Sequence, residues 1–166
     1  MNEIEQFVEL QKIQQLLGRY TLTIDAGDSE GWANCFTEDG QFVSGPLALV
    51  GREKLKQYVQ VHHAAFGSRH ITSSPVYDLS EDGKTATGTA STVVIAATRS
   101  GYKPCYAGWY EDELVRDKDG WRIARRAGFV TGVADDPTYP VLTCDPELAE
   151  LVKPLLKAFQ ELSEPV

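Results

Sequence analysis

The chain has 166 residues, a formal net charge of −8, and 42% hydrophobic and 10% aromatic residues, the size and composition of one globular domain with a real core. Its 16 Lys and Arg are scattered, and the densest basic cluster, Arg122, Arg125 and Arg126, is too small for a nucleic-acid footprint; the acidic balance also repels phosphate backbones and anionic lipid. Cys35, Cys105 and Cys144 are odd in number, without CxxC spacing or a His partner, which argues against a disulfide framework or a zinc site and fits a reducing, cytoplasmic location.

From Ile4 to Ile24 apolar residues recur at helical spacing, which predicts an amphipathic helix of roughly five turns stopped near Gly27. Asp28 or Ser29 caps a short second helix, SEGWANCF, with Trp32 and Phe36 on one face. EDGQFV then reads as a turn and a short strand. GREKLKQYVQVHHAAFG is a further amphipathic helix with Leu55, Tyr58, Val59 and His62 on one side. After Gly67 come four β-branched and aromatic runs, HITSSPVYDL, TATGTASTVVIAATR, YAGWYEDELVRD and GWRIARRAGFV, separated by the turn signals EDGK, SGYK and DKDG. Short joints predict an antiparallel meander, and the length of the runs predicts curvature. Pro137 and Pro140 mark a loop before a last helix from Asp145 to Ser163, which Pro154 should kink or divide. The fold class expected is α+β: a strongly curved antiparallel sheet whose concave face is covered by the helices. One domain over residues 1–166 is expected, with a helical extension at 145–163. The N-terminus has no signal-peptide pattern, and no apolar run approaches ~20 residues, so neither export nor a membrane span is expected.

Two residues stand out chemically. Asp25 sits in RYTLTIDAG among residues that seek burial. Read locally, it is a helix-terminal acid facing solvent or nearby backbone; on an ideal helix it lies about 140° from Tyr20. His70 opens a strand, and alternation places His70, Thr72, Ser74 and Val76 on one face. Alone it reads as a structural histidine, and the adjacent His62 and His63 read as a partly exposed pair without metal-ligand spacing. Together, Asp25 and His70 make a proton-transfer dyad, because a neighbouring imidazole keeps a half-buried carboxylate ionised and is oriented by it. Tyr20 adds a phenolic donor for an oxygen that gains charge. No phosphate-binding glycine loop, GxSxG elbow or HExxH occurs, so no cofactor or metal is expected.

The run RYTLTIDAGDSEGWANCFTEDGQF, the GREKLKQYV helix, RHITSSP and the closing YEDELVRDKDGWRI, from about Ile13 to Arg126, resemble the nuclear transport factor 2-like superfamily, and within it the SnoaL-like branch. The resemblance implies a cone made by a curved sheet, with helices closing a deep apolar pocket. The spacing of Tyr20, Asp25 and a histidine five residues before a proline (His70, Pro75) is similar to the bile acid 7α-dehydratase pattern, in which Asp and His support proton abstraction and loss of water. Scytalone dehydratase and hexachlorocyclohexane dehydrochlorinase are similar in using an Asp–His pair. The former has a second histidine on a later strand, where this sequence offers Tyr106, Gly108 and Tyr110.

The resemblance therefore implies a cofactor-free lyase or isomerase acting on a hydrophobic, cyclic small molecule of polyketide or steroid-like type. Tyr20, Asp25 and His70 are the catalytic candidates, with the roles of the last two exchangeable. Trp32, Phe36, Tyr58, Tyr106 and Tyr110 are the substrate-binding candidates. A homo-oligomer, dimer or trimer, is expected. The alternative is a non-catalytic small-molecule-binding protein or a partner similar to the β subunit of a ring-hydroxylating dioxygenase.

Overall fold

In the computed structural model, which describes residues 1–65, 67–132 and 145–166, the first helix α1 spans Glu3–Ala26. Asn2 and Glu5 form a reciprocal capping box at its start, with two 2.9 Å bonds, which satisfies two otherwise orphaned N–H groups. Gly27 ends it with φ +70°, a left-handed conformation open to glycine without a Cβ penalty. The buried stripe is shorter than the periodicity suggests: Ile13, Leu16, Leu17, Tyr20 and Ile24 are buried, whereas Ile4, Phe7 and Val8 are exposed. Burial begins at Glu9, its carboxylate accepting a 2.8 Å bond from the Trp121 indole N–H.

Asp28 caps α2 (Ser29–Ala33), which leads into β1 (Phe36–Ser44) and β2 (Leu47–Val50). Next come α3 (Arg52–Ala65) and the long strands β3 (Ser68–Leu79), β4 (Thr85–Thr98), β5 (Gly101–Asp117) and β6 (Gly120–Val130). The last elements are α4 (Pro146–Leu162) and the two-residue β7 (Glu164–Pro165). The strand order in the sheet is β3-β4-β5-β6-β1-β2-β7. The expected meander holds for β3 to β6, but β1 joins β6 in parallel. β2 and β7 are additions that short runs beside Gly45-Pro46 and at the C-terminus did not announce. Register shifts between Ser73 and Val76, Val94 and Ile95, and Glu113 and Leu114 are bulges that increase twist and bend a sheet. The result is a curved, unclosed sheet with the helices on its concave side, the α+β arrangement expected.

The core joins α1, α2 and α3 to the sheet through Tyr20, Trp32, Phe36, Leu49, Leu55, Val59, Leu114 and Ile123. At Gly108 an added Cβ would meet the Phe129 carbonyl oxygen at 1.8 Å, so only glycine lets β5 and β6 close up there. Helix α4 runs through Pro154 as one element and buries Leu148, Val152, Leu155 and Ala158; Pro154 does not divide it. No described helix is long and apolar enough to cross a membrane. Pro137, Pro140 and Cys144 lie outside the described residues.

Candidate active site

Asp25 occupies the last turn of α1, and β3 begins beside it. The His70 Nδ1 lies 2.7 Å from Asp25 Oδ1. The His70 backbone N–H donates to both carboxylate oxygens, at 3.2 and 2.9 Å, and the Ser68 hydroxyl donates to Oδ1 at 3.1 Å. The side chains of His70 and Asp25 are only 7% and 8% exposed. Burial pushes the Asp25 carboxyl upward, but the hydrogen bonds from His70 and Ser68 more than offset it, and the net effect is a lowered pKa. With Asp25 ionised, Nδ1 carries the ring proton and donates it, which leaves Nε2 as the acceptor of the neutral imidazole.

The imidazole borders a cavity of about 200 Å³ under the concave face. Strand register builds its walls. Val94 pairs with His70 on one side and with Tyr106 on the other, giving one row across β3, β4 and β5. Gly128 pairs with Tyr110 and Ser44, giving a second row across β5, β6 and β1. Tyr20 and Ile24 of α1, Tyr58 and His62 of α3, and Val152, Leu155, Leu156 and Phe159 of α4 complete the lining. Of the sequence-derived candidates, Tyr20, His70, Tyr58, Tyr106 and Tyr110 therefore meet at one cavity. Asp25 stands behind His70 and does not line it. Trp32 and Phe36 are fully buried and outside the lining; their rings pack 5.2 and 6.0 Å from that of Tyr20, so they support the cavity wall rather than form it.

Two features went unseen in the sequence. Arg126, grouped there with Arg122 and Arg125 as a small basic cluster, is fully buried and makes a bidentate pair with Asp112, both bonds 2.7 Å. Tyr77 also donates to Asp112. The Arg126 guanidinium lies 4.2 Å from the Tyr20 ring centroid and 4.4 Å from that of Tyr110, a cation–π sandwich beneath two cavity tyrosines. Burial, reinforced by Tyr110, raises the Tyr20 phenol well above its ordinary pKa, so it remains a proton donor at neutral pH. The second feature is His62. It is 4% exposed, not partly exposed as its neighbour His63 suggested, and Leu55, Val59 and His62 follow one helical stripe. Burial pushes its imidazole down to about 4, with nearby His70 adding to the shift. Among the described residues no group of three or more His, Cys, Asp or Glu is arranged to hold a metal ion.

Residues 8–127 match the SnoaL-like domain. The chain belongs to that family. This SnoaL-like protein is similar over its whole length to Rv3472 of Mycobacterium tuberculosis, a protein of unknown function solved as an Asp-to-Asn variant: identity is 38%, coverage 100% of this chain and 98% of that one, and the TM-score 0.95. It is 32% identical over 127 residues to the uncharacterised protein Rv2910c of the same organism, covering 69% of this chain and 80% of the relative. A nuclear transport factor 2-like protein with a cystatin-like fold from Novosphingobium aromaticivorans shares 25% identity at TM-score 0.72, covering 80% of this chain and 88% of that one. Scytalone dehydratase-like proteins have the same fold. The SnoaL-like fold includes polyketide cyclases and dehydratases.

Proposed function

We propose that this protein is a lyase that eliminates water, or a similarly small leaving group, from a hydrophobic cyclic molecule activated by a carbonyl. The observation that carries this reading is the 2.7 Å contact between Asp25 and His70 at the wall of an apolar cavity. A buried carboxylate held against an imidazole at the wall of a cavity is the kind of pairing that tunes a side chain for proton transfer, which supports the reading. The placement also favours one assignment of roles: His70 borders the cavity and Asp25 stands behind it, so the imidazole meets the substrate.

In this mechanism His70 Nε2 takes the proton from the carbon next to the carbonyl. The electron pair of that C–H bond forms the C=C bond as the C–O bond to the β-hydroxyl breaks. The departing hydroxyl takes a proton back from the imidazolium and leaves as water. Asp25 holds the ring in its productive tautomer and balances the charge it carries midway. Tyr20 donates to the carbonyl oxygen as negative charge develops there. Every proton is moved by side chains of this chain.

The test uses 3-hydroxy-1-tetralone, whose loss of water gives 1-naphthol and is read by fluorescence. Turnover by the wild-type chain, reduced about 10²–10⁴-fold in His70→Gln with the fold intact by circular dichroism, supports the reading. Absence of turnover, or a rate unchanged by the substitution, contradicts it. A non-catalytic binding role predicts the first of those outcomes, and an isomerase in which an acid alone is the base predicts insensitivity to His70.

A further inference from the structure

The elimination described above uses one of the two histidines that line the cavity and gives the other no part. His62 comes from α3, borders the same cavity as His70, and has its ring centroid 5.7 Å from that of His70 with the planes at 42°. Tyr58 lies one helical turn earlier, its ring 6.3 Å away. We propose that His62 and His70 together hold one hydroxyl group of the substrate, and that this pair restricts the site to uncharged molecules of one or two rings bearing a hydroxyl. The inference rests on the reading that the cavity beside His70 is the substrate site.

Three observations lead to it. The two rings are neighbours on the same cavity, their centroids 5.7 Å apart, so one oxygen at ordinary hydrogen-bond distance from a nitrogen of each fits between them. Burial keeps His62 neutral at pH 7, so a ring nitrogen of His62 can donate to the hydroxyl oxygen whose proton His70 Nε2 accepts. Among the described residues lining the cavity there is no Asp, Glu, Lys or Arg, and Arg126 is already neutralised by Asp112. A charged ligand would lose its hydration with no countercharge to replace it. Size points the same way: an apolar cavity of about 150 Å³ takes a benzene ring, so about 200 Å³ suits one or two rings rather than four.

The experiment compares 1-naphthol with naphthalene, the same ring system with and without oxygen, by equilibrium dialysis against the full chain at pH 7. Wild type should bind 1-naphthol roughly tenfold more tightly than naphthalene. His62→Phe should lower that ratio several-fold, and His62→Gln should restore part of it. In unsubstituted protein, where folding of a variant is not at issue, the ring ¹⁵N resonances of His62 should move with 1-naphthol and much less with naphthalene. Equal affinities in wild type, a ratio indifferent to His62→Phe, or unmoved His62 resonances would each overturn the proposal. None of these readouts requires turnover. If 3-hydroxy-1-tetralone is not dehydrated while the His62-dependent preference stands, the elimination reading falls and the role of His62 survives. If elimination proceeds while the preference ignores His62, the reverse holds.

Discussion

Asp25 looked misplaced because helical geometry turns it about 140° from Tyr20. The structure resolves this without distorting the helix. Asp25 need not share the bearing of Tyr20, because the start of β3 comes to meet it and the His70 ring bridges carboxylate to cavity. The residue types and their order were legible in the sequence; the bridge was not, since it joins positions 45 apart. His62 was half legible, its stripe with Leu55 and Val59 being masked by an adjacent histidine that faces solvent. Its depressed pKa has a consequence for stability. With the folded value near 4 and the unfolded one near 6.5, the unfolded chain binds the extra proton first, so stability is full above about pH 6.5 and declines towards pH 4. Between pH 7 and pH 5 that decline should be about 2 kcal/mol, with Asp25, His70 and His63 as the titratable groups that act on it. Urea midpoints at the two pH values should differ less in His62→Phe than in wild type; equal differences would contradict a neutral, buried His62. Arg126→Met should cost about 3–5 kcal/mol in urea unfolding, because it strands Asp112 without a countercharge. Pairing it with Asp112→Asn should recover part of that loss.

Among the elements, α4 is the one that ties surface charge to the cavity. It contributes Val152, Leu155, Leu156 and Phe159 to the lining, and its N-terminus is clamped to the β4–β5 hairpin. Lys103 Nζ lies 2.7 Å from Asp145 and 3.2 Å from Glu147, while the Ser100 hydroxyl and the Arg99 backbone N–H donate to Glu147 at 2.5 and 2.6 Å. These bonds, that of Ser100 foremost, hold the Glu147 carboxyl down at about 2 against the opposing effect of desolvation. A lowered folded pKa means that the clamp is complete above the ordinary carboxylate range and weakens as pH falls towards 2. Amide exchange along α4, corrected for intrinsic rates, should therefore lose protection between pH 5 and pH 2.5, and Lys103→Ala should produce a similar loss at pH 7. Unchanged protection in both cases would show that apolar packing alone seats the helix. The helix itself was readable from its apolar spacing, but its continuity through Pro154 was not, because packing against α3 and β4 is tertiary. The parallel pairing of β1 with β6 escaped for a related reason: its partners, such as Val43 and Ala127, are far apart in the chain and no local signal joins them.

For the molecule as a whole, alternation along the long strands gives the sheet two unlike faces. The inner face carries His70, Val94, Tyr106 and Tyr110 into the cavity. The outer face shows Ile71 paired with Val93, and Trp109 stacked on Phe129 at 5.3 Å, all four exposed. These four side chains are the place where we propose that copies of the chain would meet if the expected homo-oligomer forms. Sedimentation at micromolar concentration should show association that Trp109→Glu weakens; a monomer in both proteins would refute it. Helix order and the curved antiparallel strands followed from local patterns and the cone and dyad residues from family resemblance, whereas cavity size and the buried Arg126–Asp112 pair emerge only in the folded chain. The central claim, that Asp25 makes His70 a base for elimination, is tested most directly by the rate of 1-naphthol release from 3-hydroxy-1-tetralone by Asp25→Asn. That variant keeps the size of the side chain and removes its charge. The rate should fall about 100-fold or more while the thermal unfolding transition stays cooperative, and an undiminished rate in the folded variant would contradict the account.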